Sequence, residues 1–209
     1  MSLVLIFCSS FLIALSGALM PGPLLTVTVS ESGSRGAVAG PLMILGHAIL
    51  ELVLVLALLS GLAPFLQRDE VFAAIALAGG AILFGMAISM LRRLPGLSLS
   101  CPADTGRKQN LILAGIIFSL ANPYWLIWWA SIGLGYIAYS VQFGVPGVIA
   151  FFVGHILADL VWYAFISFGV AMGRRYLSDR AYRGLIGGCA VFLLLFSGYF
   201  LYSGFGRLV

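Results

Sequence analysis

Apolar positions along this chain come in long blocks. Six blocks stand out, roughly residues 3–30, 37–65, 71–91, 111–139, 145–173 and 184–205, separated by shorter charged or turn-rich segments. Each reaches the roughly 20 residues that a helix needs to cross a bilayer. A helix closes its own backbone hydrogen bonds, which is what a lipid environment demands. The pattern predicts an all-α membrane protein with six transmembrane helices in one domain, residues 1–209. The first, second, fourth and fifth blocks are longer than a crossing needs, which predicts tilt or breaks. The longest polar connection is RRLPGLSLSCPADTGRKQN, residues 92–110. It separates two three-span halves, 1–93 and 111–209, with 94–110 as linker.

The loops after spans 1, 3 and 5 share one side of the membrane and carry Arg35, Arg92, Arg93, Arg107, Lys108, Arg174, Arg175, Arg180 and Arg183. The other side has Arg68 and Arg207. Nine cations against two is a positive-inside bias that places 92–110 in the cytoplasm and both termini outside. The first cation is Arg35, so the basic region of a cleaved signal peptide is missing and the first block is expected to stay as a span.

The halves resemble each other. GHAILELV at 46–53 returns as GHILADLV at 154–161, so that Gly46, His47, Leu52 and Val53 recur 108 residues later and Glu51 becomes Asp159. The same shift takes Gly61 to Gly169 and Gly79-Gly80 to Gly187-Gly188. In the first span of each half, Pro21-Gly22-Pro23 corresponds to Ala121-Asn122-Pro123 with a shift of 100. Two similar halves with three spans each must cross in opposite senses, which predicts an inverted repeat. That architecture is common among secondary transporters, though channels use it too.

Ionisable residues inside the spans are few. Of seven acids, Glu31, Asp69, Glu70, Asp104 and Asp179 fall in loops or at span ends, and Glu51 and Asp159 fall deep inside. A central acid costs about 2.5–3.5 kcal/mol on insertion scales. The chain's two histidines, His47 and His155, each stand four residues before one of these acids, on the same helix face. One reading is a proton site in which Glu51 and Asp159 load and unload protons while the histidines tune them. The other is structural: polar groups that hold helices together across the bundle.

Pro21, Gly22 and Pro23 stand in a run with no charge from Met1 to Ser30. Prolines there are expected to free the carbonyls of Gly17 and Leu19, and Pro123 that of Ser119. Helices 1 and 4 would then be broken at Pro-Gly-Pro and Asn-Pro. Lipid cannot satisfy the freed groups, but protein, water or a solute can. Anionic groups would suit the exposed amides and cations the carbonyls. A kink that only shapes the bundle is the alternative. Tyr124, Trp125, Trp128 and Trp129 follow the second break. They suit a pocket wall or a cover for a cationic amine, or an interfacial anchor. The candidate substrate set is Pro21, Gly22, Pro23, Asn122, Pro123 and Trp125. Gly36/Gly40, Gly169/Gly173 and Gly184/Gly188 predict close helix packing, with a homodimer face as the alternative.

Composition agrees. The 209 residues are 62% hydrophobic and 9% charged, against roughly a quarter charged in soluble domains. The charge of +4 is a topology signal rather than a nucleic-acid footprint. Cys8, Cys101 and Cys189 show no metal or redox spacing. Neither a metal nor a cofactor is expected.

The early MPGP, GHAILELV, the mid-chain ANP and GHILADLVWY together resemble the LysE/RhtB-type amino-acid exporters over spans 1–6. The resemblance implies a six-helix inner-membrane exporter of amino acids or related small metabolites. It also implies that Pro21, Gly22, Pro23, Asn122 and Pro123 are the broken helices and that Glu51 and Asp159 are the intramembrane acids. No nucleotide-binding loop is present to drive export, and the His-acid pairs lack a serine or cysteine partner for enzyme chemistry. The expected function is therefore a secondary transporter driven by inward proton movement, with a channel for a small polar solute or ion as the alternative.

Overall fold

A computed structural model describes residues 2–66, 68–96, 110–173 and 178–207, with the side chain of Leu66 not described. Cys101, Arg107, Lys108, Arg174, Arg175 and most of the 94–110 linker lie outside the described residues.

The described residues are helical throughout. The elements are α1 (Leu3–Ala18), α2 (Pro23–Arg35), α3 (Ala39–Ala57), α4 (Asp69–Arg93), α5 (Leu111–Leu120), α6 (Pro123–Trp128), α7 (Leu134–Val141), α8 (Gly144–Gly173) and α9 (Asp179–Gly206). Four helical stretches are long and apolar enough to cross a membrane: Pro23–Phe65, Asp69–Gly96, Gly144–Gly173 and Asp179–Gly206. The pair Leu111–Leu120 and Pro123–Val141, bent by 66°, makes a fifth, and Leu3–Ala18 is a shorter apolar helix. Large apolar side chains face outward along these helices, among them Leu12, Val145 and Leu195, as a lipid-facing surface requires.

Local chemistry sets the boundaries. Residues before a proline are pushed out of the helical region, and Gly22 is fully extended at φ −142°, ψ −176°. Pro23 and Pro123 each begin a new helix, where the missing N–H would have no partner anyway. The expectation of free carbonyls at Gly17 and Ser119 is corrected here. Met20 N–H donates to Gly17 at 3.1 Å and Asn122 N–H to Ser119 at 3.1 Å. The last turn of each preceding helix tightens and recovers the carbonyl. Gly36, at φ 78°, ends α2 in the left-handed region, and a short turn Gly36–Val38 leads into α3. The span expected at 37–65 is also interrupted. After α3 the helix widens to a π turn over Leu58–Leu62, with Gly61 at φ 105°. A second π turn, Trp129–Gly133, joins α6 to α7. Asp69 and Glu70 open α4, and Arg92 and Arg93 close it, each sign favourable to the helix dipole. Side chains of Asn110 and Ser178 cap α5 and α9.

Packing repeats between the halves. A Cβ on Gly46 of α3 would strike the Ile112 carbonyl of α5, and one on Gly154 of α8 the Phe7 carbonyl of α1. The Met43 backbone meets Gly115, and the carbonyl of Phe151, 108 residues on from Met43, accepts from Ser10 at 2.7 Å. So α3 lies on α5 as α8 lies on α1, while α4 pairs with α9. These contacts relate Phe7 to Ile112 and Ser10 to Gly115, an offset of 105 rather than the 100 of the break motifs. The helices reach their breaks after different lengths, 16 residues in α1 and 10 in α5.

Close packing at the small-residue pairs is seen at Gly40, whose Cβ would meet Tyr163 and Ser167. Gly36 is a turn, and a Cβ at Gly169, Gly184 or Gly188 would meet open space. At those three positions the glycine face carries no close helix approach.

Candidate functional site

Helices α3 and α8 each carry one His-acid pair, and the fold brings the two pairs into a single buried cluster. Glu51 is the centre of it, 1% exposed. His47 Nε2 lies 3.0 Å from Glu51 Oε1, and His155 Nε2 lies 3.0 Å from Glu51 Oε2. Asp159 Oδ2 is 3.7 Å from His47 Nε2 and 3.6 Å from His155 Nε2. The indole N–H groups of Trp125 and Trp129 both donate to Glu51 Oε1 at 2.8 Å. Spacing of four places these two indoles on one helix face. Against that, Asp159 Oδ2, Glu51 Oε2 and His155 Nδ1 have no aligned hydrogen-bond partner, though all are buried.

Hydrogen bonding fixes where protons can sit. Ser119 Oγ donates to the Gly115 carbonyl at 2.6 Å, so at its 2.7 Å contact with His47 Nδ1 it accepts. With the Ser119 proton so placed, His47 carries its own on Nδ1. A neutral His47 would then aim a lone pair from Nε2 at a carboxylate, which only accepts. The 3.0 Å contact with Glu51 requires a further proton, on the imidazole or on the carboxyl. Two acids and two imidazoles crowded out of water must share their protons. Single ligand atoms of His47, Glu51 and Asp159 also lie within 4.8 Å of one another, a spacing that a small cation could bridge.

The cluster lines a cavity of about 50 Å³ bounded also by Gly22, Asn122, Trp125 and Trp128. That is room for roughly three water molecules. The two breaks face each other across it, since a Cβ on Gly22 would sit 3.1 Å from Asn122 Nδ2. Of the residues singled out in the sequence, His47, Glu51, His155, Asp159, Gly22, Asn122 and Trp125 meet here. Pro21, Pro23 and Pro123 do not line the cavity. They set the helix starts, and Pro123 packs on Gly79. Ser119 and Tyr163 were missed as parts of this site, and Trp129, expected as a pocket wall, serves instead as a donor to Glu51. The i, i+4 spacing of Trp125 and Trp129 was a usable signal for that shared role. Nothing in the sequence marks Ser119 as the partner of a residue 72 positions away.

Comparison with known proteins gives a consistent picture. The family described as LysE type translocator matches residues 15–204. The chemotactic transduction protein ChpE of Pseudomonas aeruginosa is 29% identical over 92% of this chain and 96% of its own. YcgF of Bacillus subtilis, provisionally named as an amino acid efflux protein, is 23% identical over 98% of this chain and 99% of its own. No solved structure gives a significant match.

Proposed function

We propose that this chain, which belongs to the LysE type translocator family, exports amino acids or related small metabolites from the cytoplasm in exchange for inward-moving protons. The observation that carries this reading is the meeting of both His-acid pairs, 108 residues apart in sequence, in one buried cluster beside the two helix breaks. YcgF, similar along nearly the whole chain and provisionally named for amino acid efflux, supports the cargo.

In this reading the protein is a multi-pass inner-membrane protein with six spans, α1 and α2 forming the first and α5 to α7 the fourth, and with both termini outside. Its halves, 1–93 and 111–209, are inverted repeats. The reciprocal packing of Gly46 on Ile112 and of Gly154 on Phe7 supports that relation. Transport is a rocking of one half against the other. The small cavity suits waters, so cargo enters when the halves part. Glu51 and Asp159 carry the protons. His47, held by Ser119, and His155 share each proton with them, and the indoles of Trp125 and Trp129 keep Glu51 in place. Coupling requires that proton and cargo favour different states of the same element. The element they share is the contact of α3 and α8.

Proteoliposomes test this. Flux of an amino-acid panel, with and without an imposed pH gradient and with an internal proton-sensitive dye, should show solute accumulation linked to proton movement in the opposite direction. Solute flux indifferent to the pH gradient would favour a channel and defeat the exchange reading.

A further inference from the structure

We propose that the cavity receives the head group of an α-amino acid as a zwitterion, its carboxylate on the bare amino end of α2 and its ammonium on Asp159, with an uncharged side chain against α1. The inference rests on amino-acid export and assigns the ends of the cargo to atoms.

The carboxylate end follows from the start of α2, a helix of 13 residues. Pro23 brings no N–H, and Gly22, at the capping position, has no side chain to cap with. Helical bonding starts with Thr26 N–H to the Gly22 carbonyl at 3.0 Å. The amides of Leu24 and Leu25 are those a capping side chain would serve, and here none does. Asn122 adds a donor. Its Oδ1 accepts from Tyr124 N–H at 3.1 Å, which turns its NH2 group toward Gly22. Backbone amides, a side-chain NH2 and the positive helix end together suit an anion. The matching start of α6 offers no such site, because that helix has six residues and is capped by Asn122 itself.

The ammonium end follows from Asp159. It is 5% exposed, it lines the same cavity as Gly22 and Leu24, and its Oδ2 has no aligned hydrogen-bond donor, the imidazoles of His47 and His155 standing off at 3.7 and 3.6 Å. A buried carboxylate oxygen left so is costly, and an ammonium group supplies both the donor and the charge. Glu51 is not available for this, since Trp125, Trp129 and His47 crowd its Oε1 and His155 Nε2 stands 3.0 Å from its Oε2. The two ends are on adjacent helices: Leu24 and Leu25 share a core cluster with Tyr163 of α8, one turn beyond Asp159. The remaining wall from α1 is Ala14, Gly17 and Ala18, small and apolar, and it gives a charged side chain no partner.

The test uses the full chain in proteoliposomes with the standard L-amino acids and, for each that moves, its N-acetyl and α-carboxamide derivatives. Amino acids with uncharged side chains should move fastest, and each derivative should fall by about tenfold or more. Gly22→Asp places a carboxylate on the α2 amides in an extended backbone that accepts it. Its flux should fall about tenfold below that of Gly22→Ala, which adds the same Cβ without charge. In solute exchange without a pH gradient, Asp159→Asn should narrow the gap between a parent amino acid and its N-acetyl derivative. Derivatives that move as fast as their parents, or equal flux for the two Gly22 variants, would overturn the head-group assignment while leaving export intact. If no amino acid moves, the export reading falls and takes this assignment with it.

Discussion

The two helix breaks are alike in sequence and unlike in structure. At the second, Asn122 caps its own helix through Tyr124 N–H, and the Pro123 ring seats on Gly79 of α4. At the first, Gly22 leaves α2 uncapped. Gly187, the counterpart of Gly79 at the 108-residue shift, meets Leu94 rather than a proline. The acids divide in the same way. Glu51 holds two indole donors and two imidazole contacts at 3.0 Å, while Asp159 Oδ2 has its imidazoles only at 3.6 and 3.7 Å and no aligned hydrogen bond. In each pair one member is locked and the other keeps unused bonding capacity toward the cavity. The two halves hold similar parts, and packing surrounds them differently.

That contrast can be broken most severely at the acids. Glu51→Gln and Asp159→Asn should each abolish proton-driven accumulation in proteoliposomes. They should part company in thermal melts of the purified protein. Glu51→Gln strips a charged acceptor from buried donors and should cost several kcal/mol, about 3 to 5. Asp159→Asn gives up only the 3.6 and 3.7 Å imidazole contacts of Oδ2 and should melt closer to the parent. Equal melting losses would erase the distinction between the two acids.

The glycine seats come next. A Cβ on Gly79 would lie 2.7 Å from the Pro123 ring, whereas one on Gly187 would lie 3.3 Å from the flexible end of Leu94. Gly79→Ala should therefore cost about 1–3 kcal/mol through overpacking, read as a lower melting temperature, and Gly187→Ala less than about 1 kcal/mol. A reversed order would mean that the seats are not distinguished by packing.

Asn122→Ala should cost about 1 kcal/mol through the lost cap, measured by the same melts. The smallest effect belongs to Pro123→Ala. An N1 proline gives up no needed hydrogen bond, so the loss should stay within about 0.4–1 kcal/mol in entropy of the unfolded chain. A large loss there would show that the ring itself, rather than the helix start, holds the second break.

Much of the site was legible in the sequence because charge inside an apolar run is conspicuous. Glu51 and Asp159, each with a histidine four residues earlier, announced themselves, and Pro-Gly-Pro and Asn-Pro announced the breaks. The breaks stand where they were expected, with a new helix starting after each, but the carbonyls of Gly17 and Ser119 are not freed, because the tightened last turn of the old helix recovers them. Ser119 stayed invisible because a serine in an apolar helix normally bonds its own backbone, as this one also does to Gly115.

The sequence by itself determined helices, their approximate limits, the repeat, and the few residues able to carry charge in lipid. These follow from short-range rules: hydrogen-bond closure in a bilayer, proline geometry and the 3.6-residue period of a helix. Only the tertiary structure decided that His155 reaches Glu51 as well as Asp159, that the two breaks meet at Gly22 and Asn122, and that one is capped while the other is bare. Those facts depend on which helix faces lie together. Identical local patterns place their residues on equivalent faces, yet the close-packed space between two helices admits one set of side chains, and two similar halves cannot both fill it.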